Sequence, residues 1–242
     1  MSTLLVLNTT RRDNGFEYFK DTIARMDAAG AAAIPKEDKL VYCDGPFEGD
    51  VPEGWTLQAT PASLGTIPSL RDIVSRARMR GSDLAFFEDD IKLCKNAVTK
   101  IVDYVVPKDL AFVSFFDFYT AAGAKKGLEK RPFPEKGVIQ SGVQAIKIPL
   151  SSLQLMWPDA EHAELILPHD GKSKQFGRLY ALKYFFGILS PLKQFGMFLP
   201  HLVQHVGEVS AVNGVGMKRM LAEGKKRESA NYAGDDADAL KL

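Results

Sequence analysis

Cysteine is nearly absent from this 242-residue chain, which has only Cys43 and Cys94. Two thiols cannot form a disulfide framework, and they lack the spacing of a zinc site. Both stand beside apolar runs, which reads as buried free thiols. An excess of either charge is also missing. The 31 Lys and Arg against 30 Asp and Glu leave a net charge of +1, so neither a general affinity for nucleic acid nor acidic disorder follows. Long apolar runs are lacking too. The nearest candidate, Leu179 to Leu199, is broken by Lys183, Pro191 and Lys193, and falls short of the roughly 18 uncharged apolar residues that a membrane span needs. The opening Ser2-Thr3-Leu4-Leu5-Val6-Leu7-Asn8 has no basic stretch before it and no small-residue cleavage site. It reads as a strand, not a signal peptide. A cytoplasmic setting is therefore expected, and a hydrophobic share of 45% is ordinary for a chain that builds one sizeable core.

What the chain does have is alternation. Leu4 to Leu7 predicts a strand, followed by polar Asn8 to Asp13. A helix is predicted over Phe16 to Ala29, closed by Gly30, and a second strand over Lys39 to Cys43, ending in Asp44-Gly45. Leu70, Ile73, Val74 and Ala77 form a helical stripe that Gly81 stops. Leu84 to Phe87 is a third strand. Asn96 can cap a helix with the stripe Val98, Ile101, Val102 and Val105, ended by Pro107, and Leu110 to Phe116 is again strand-like. Strands alternating with helices imply an α/β fold with a mostly parallel sheet flanked by helices. In such sheets ligands gather at the carboxyl ends of strands.

The second half is less regular. Gly123 to Lys136 reads as an exposed loop, Val138 to Ile148 as a strand or hairpin, and Ser151 to Met156 as a short helix. Gly177 to Ile188 is a longer, aromatic-rich helix, and Phe195 to Leu199 reads as core, oligomer interface or membrane-facing patch. Residues 1–215 form one expected domain, and 216–242 a short helix with a flexible tail.

The third strand runs into Glu88-Asp89-Asp90. Three adjacent carboxylates repel one another, so they need water or a cation. Oxygen-rich clusters suit hard divalent ions such as Mg²⁺ or Mn²⁺, which commonly serve diphosphate chemistry. Asn8 to Asp13 and Asp44 lie at neighbouring strand ends, so a nucleotide could sit across all three.

A second signature is Pro200-His201-Leu202-Val203-Gln204-His205-Val206-Gly207-Glu208-Val209-Ser210. With the acidic triplet, it resembles the GT-A type of nucleotide-sugar glycosyltransferase. The likeness extends distantly to branching N-acetylglucosaminyltransferases and their bacterial and phage relatives. That resemblance implies a GT-A-like (Rossmann-like) domain and a nucleotide-sugar donor, with UDP as the carrier. It implies Mn²⁺ or Mg²⁺ held by Asp90, with His205 completing the metal site or touching the diphosphate. Asp89 would lie near the ribose and Glu88 near the donor sugar. Thr9, Thr10 and Arg11 would hold base and ribose, and Asp44 would contact the nucleotide or simply shape its turn. Arg71, on a helix shared with Arg76 and Arg78, reaches the diphosphate or belongs to a solvated face.

An inverting reaction needs a base, for which Asp170 in Leu167-Pro168-His169-Asp170-Gly171 is the candidate. An Asp-Gly turn accounts for the same residues, and Asp117, Glu161 and Glu164 compete for the role. The acceptor is a hydroxyl, on a glycan first and on a hydroxylated base of phage DNA second. In the latter case the setting is the host cytoplasm. Two other functions compete. A metal-dependent nucleotidyltransferase would want a Gly-rich basic loop near the start, which is missing. A non-catalytic nucleotide- or glycan-binding module would not need the acids intact.

Overall fold

Leu4, Leu5, Val6 and Leu7 are apolar without alternation, which suits a strand buried on both faces. In the computed structural model, which describes residues 2–11, 15–116, 125–133, 144–157, 191–192, 194–206 and 231–242, they lie in β1 (Thr3–Thr9). This strand sits between β2 (Lys39–Cys43) and β4 (Asp83–Glu88) and is parallel to both. Beyond β2 lies β3 (Thr56–Ala59), also parallel. Beyond β4 come β8 (Ala145–Ile148), β6 (Val113–Ser114), β9 (Gln194–Leu199) and the edge strand β7 (Gly127–Pro132). Of these eight strands, only β8 and β7 run against the rest. A separate two-stranded sheet pairs β5 (Ile91–Leu93) antiparallel with β10 (Val203–His205).

The helices cover the two faces of the large sheet. On one face α2 (Thr66–Met79) buries Ile67, Leu70, Ile73, Val74 and Ala77 against Leu4, Val6, Leu84 and Phe86, joined by α4 (Leu150–Leu153). On the other, α1 (Glu17–Ala28) and α3 (Ala97–Asp103) bury Phe19, Ile23, Met26, Val98 and Ile101 against Leu5, Leu7, Ala85 and Phe87. Gly30 closes α1 at φ 118, where a Cβ would lie 2.0 Å from the Thr99 hydroxyl; only glycine fits that turn against α3. The result is the expected α/β architecture, one domain with a mostly parallel central sheet between helices.

Several local expectations change. Residues 127–132, read from the sequence as loop, form β7, because their backbone completes the ladder of β9 while the charged side chains stay at the edge. Phe195 to Leu199 is a buried strand, with Phe195, Met197 and Leu199 in one core and Phe198 in the other. The strand expected over Leu110 to Phe116 narrows to Val113–Ser114. Asn96 precedes α3 but does not cap it. Its φ is 58, and its amide donates to Asp238 Oδ1 at 2.9 Å. Of the expected tail, 231–242 is held to the body. Ala239 is buried and its N–H bonds Lys95 O at 2.9 Å, while His201 and residues 231–233 exchange backbone hydrogen bonds. The helix expected over Gly177 to Ile188 lies outside the described residues.

Both thiols are buried as expected, which pushes Cys43 up to about 12 and Cys94 up to about 11. Lys147 is more unusual. It lies on β8 with its side chain 1% exposed. Its ammonium donates to Thr3 Oγ1 at 2.5 Å and Val102 O at 2.6 Å, and stands 3.8 Å from Asp83. Burial lowers its pKa from 10.5 to about 8, against the opposing pull of Asp83 and Asp103. Between these values the unfolded chain binds more protons than the folded one, so Lys147 makes stability rise with pH across that window. The two thiols act in the opposite sense above pH 9, so the clean comparison is with Lys147→Met, which keeps them. From pH 8 to 10 the wild type should gain on this variant, by at most about 3 kcal/mol, in paired urea titrations. A gap that stays constant with pH would contradict the assignment.

Candidate functional site

Hydrophobic strands that stop together leave polar residues at one edge of the sheet. Here β1, β2 and β4 end in register, with Thr9 beside Cys43 and Asn8 beside Glu88. Strand pleating then sends the three acids different ways. Glu88 falls on the α2 face with Leu84 and Phe86, whereas Asp89 follows Ala85 and Phe87 toward α1. Asp89 is 1% exposed. Its Oδ2 accepts from the Thr9 hydroxyl at 2.5 Å, and its backbone carbonyl accepts from the Thr22 hydroxyl at 2.6 Å. Thr22 also reaches the carbonyl of Ile91 at 3.2 Å, so one α1 side chain fixes the corner between β4 and β5. The sequence reading missed Thr22. Its signal is a single polar residue on the buried stripe of α1, between Phe19 and Met26.

Asp90 turns toward the second signature. Because β10 pairs with β5, His205 stands opposite Ile91, and the N–H of Val206 bonds Asp90 O at 2.8 Å. Nε2 of His205 then faces Oδ2 of Asp90 at 3.2 Å, with both side chains buried. Phe116 lies against the imidazole, ring centroids 6.5 Å apart. Two segments far apart in sequence, each singled out for diphosphate chemistry, are thus joined by a β-ladder. Among the described residues no group of three or more His, Cys, Asp or Glu side chains is placed to hold a metal ion. Such a cluster is not required for Mg²⁺ or Mn²⁺, which take one or two protein ligands and complete their shell with phosphate and water. Asp90 and His205 set a carboxylate oxygen and an imidazole nitrogen side by side, and these are the donors that would hold such an ion.

At the neighbouring end of β2, Asp44 accepts from the Ser63 hydroxyl at 3.0 Å and from the N–H groups of Leu64 and Gly65 at 2.6 and 3.0 Å. These residues lead into α2, so the carboxylate organises the start of that helix. Thr10 donates to Asp44 O at 3.0 Å, and Arg11 pairs with Glu48 at 2.7 Å on an exposed rim. Together Thr10, Arg11, Asp44, Gly45, Pro46, Glu48 and Ser63 line a cavity of ≈ 280 Å³. Arg71 is exposed on α2. Arg76 pairs with Asp72, and Arg78 donates to the carbonyls of Met156 and Trp157, which ties both to the scaffold. Asp170, with Asp117, Glu161, Glu164, His169 and Gly207 to Ser210, lies outside the described residues.

The structure therefore brings Thr9 to Asp89, His205 to Asp90 and Thr10 to Asp44, with Arg11 paired to Glu48 on the rim of the same cavity. Removing the acceptor at Asp44 should be costly in itself. Asp44→Ala leaves two backbone N–H groups and a hydroxyl at the head of α2 without their carboxylate. It should lower stability by about 1–2 kcal/mol in urea unfolding. A variant as stable as the wild type would show that water replaces the carboxylate there.

No protein-family model matches the chain, and no curated protein matches it. Solved structures are similar at a low level. A mannose-1-phosphate geranyltransferase from Thermus thermophilus has a TM-score of 0.46 and 12% identity, over 82% of this chain and 74% of that one. The galactosyltransferase LgtC, in complex with donor and acceptor sugar analogs, has a TM-score of 0.46 and 11% identity, over 90% of this chain and 94% of that one. An active-site mutant of LgtC has a TM-score of 0.43 and 12% identity, over 91% and 94%. A likeness at this distance assigns no chemistry to the chain, which its own residues must supply.

Proposed function

We propose that the protein is a divalent-metal-dependent glycosyltransferase that moves a sugar from a nucleotide sugar, with UDP as the carrier, to a hydroxyl acceptor. The observation that carries the reading is the β5–β10 ladder, which sets His205 3.2 Å from Asp90 at the end of the acidic strand. Asp90 and His205 would hold Mn²⁺ or Mg²⁺, which when bound neutralises charge on the departing diphosphate.

The remaining roles belong to the chain. Thr9 and Thr22 hold Asp89 and the β4–β5 corner in place, so the carboxylates meet the donor in a fixed arrangement. The cavity beside Thr10, Arg11 and Asp44 has the polar groups and the position to take the base and ribose. Glu88 faces away from Asp89, toward the transferred sugar. In an inverting reaction the acceptor oxygen forms its bond to the anomeric carbon as the bond to the diphosphate breaks. The hydroxyl proton passes to the carboxylate assigned to Asp170, and the nucleoside diphosphate leaves. A glycan is the first acceptor class and a hydroxylated base in DNA the second.

A donor binding only the folded state stabilises it by about 2.7 kcal/mol at a hundred times its Kd. UDP-sugar with Mn²⁺ should therefore raise the melting temperature by roughly 5–10 °C. Asp90→Ala and His205→Ala should each abolish the Mn²⁺-dependent part of that shift. The reading fails if no nucleotide sugar at millimolar concentration moves the transition. Transfer should release UDP; release of pyrophosphate would instead identify a nucleotidyltransferase.

A second measurement concerns the base. Asp170→Asn should keep the donor-dependent melting shift while lowering turnover at least about 100-fold. Turnover within a few fold of the wild type would remove Asp170 from the reaction.

A further inference from the structure

The pleat that separates Glu88 from Asp89 also lines up a polar row on the α2 face. Tyr42 is opposite Asn8 in the β1–β2 ladder, and Asn8 is opposite Glu88 in the β1–β4 ladder. Phe87 pairs with Ala145, so the next position across from Glu88 is Gln144, whose carbonyl accepts the Glu88 N–H at 2.9 Å. Val6, Leu40, Phe86 and Ile146, two residues further into each strand, all belong to the core beneath α2. Tyr42, Asn8, Glu88 and Gln144 therefore form one rung across four neighbouring strands, on one face, at the edge where the acidic triplet emerges.

The two amides in this rung are buried, Asn8 at 4% and Gln144 at 5% exposure. Among the described residues, Asn8 Oδ1 and Gln144 Oε1 have no hydrogen-bond partner. A core gains nothing from such atoms, since an unanswered buried acceptor destabilises the fold. Here two occur on the strands that flank Glu88 on either side. Phosphate oxygens only accept and would be repelled by Glu88, so this rung is not a diphosphate subsite. An apolar group would leave the amides as they are. A sugar hydroxyl both donates and accepts, so it can satisfy an amide oxygen and a carboxylate together.

We infer that Asn8 and Gln144, with Glu88 between them, read the hydroxyl groups of the transferred sugar and so set which sugar the enzyme accepts. The inference rests on the glycosyltransferase reading above and adds the two residues that would discriminate among donors. They touch the sugar and not the nucleotide, so their effect should appear only when the sugar is present. A site built to hydrogen-bond a hydroxyl rejects analogues that misplace it, because its buried polar groups are then left unanswered.

The experiment compares UDP with UDP-glucose, UDP-galactose and UDP-N-acetylglucosamine by calorimetry in Mn²⁺, on the wild type, Asn8→Leu and Gln144→Met. The wild type should bind one of the three sugars more tightly than UDP. Each variant should weaken that donor about tenfold, leave UDP affinity unchanged, and narrow the spread among the three donors. The free variants should melt no lower than the wild type, since each removes a buried, unanswered amide oxygen in favour of an apolar group of similar size. If either fails to fold, Asn8→Ser or Gln144→Asn, which shorten the side chain and keep its polarity, should show the same selective loss. Unchanged preference for the best donor in variants that still bind UDP overturns the inference and leaves the glycosyltransferase reading standing. A wild type that binds neither UDP nor any of the three donors removes both.

Discussion

Like charges on consecutive residues cannot all be buried in one environment, and the end of β4 carries three of them. The fold answers by giving each carboxylate a different direction. The pleat puts Glu88 toward α2 and Asp89 toward α1, where the Thr9 and Thr22 hydroxyls fix side chain and carbonyl. The chain then turns, and Asp90 meets His205 through the β5–β10 pairing. Much of the surrounding architecture is in service of this division. β1 must end level with β4 to supply Thr9, α1 must pack close enough to deliver Thr22, and the segment after β9 must return across the sheet edge to supply His205.

That requirement explains why the centre of the fold was legible in the sequence and its margins were not. β1, β2, α1, α2 and β4 have unmistakable local patterns, because each is buried along a full face. The acidic triplet and the histidine segment were visible as residue types. Their contact was not, since a three-residue ladder between β5 and β10 leaves almost no local signal. β7 was invisible for another reason: its side chains are those of a solvated loop, and only the backbone pairing with β9 makes it a strand. Asn96 shows the same limit in miniature. A capping residue stood at the right place, but the chain's last segment offered its amide a different partner in Asp238.

The polar residues near β1 also divide by what they stabilise. Asp44 is answered by three donors at the head of α2, and Lys147 by Thr3 and Val102 at the opposite end of the sheet. These are buried or half-buried polar groups whose partners belong to the protein, so their contribution is realised on folding. Asn8 and Gln144 are of the other kind, with side-chain oxygens that the described residues leave unanswered.

The contrast bears on how the sheet edge would work. Groups already satisfied by the scaffold can hold a ligand in position but gain little from it, because a new contact displaces an old one. Unanswered groups gain the full value of any hydrogen bond a ligand supplies. On the proposed function, the Asp90–His205 pair and the Thr9–Asp89 bond would fix where the donor lies, and the rung around Glu88 would determine how strongly the sugar itself is felt. Binding energy would then fall on the part of the donor that is transferred, which is where a transferase needs it to be sensitive to configuration.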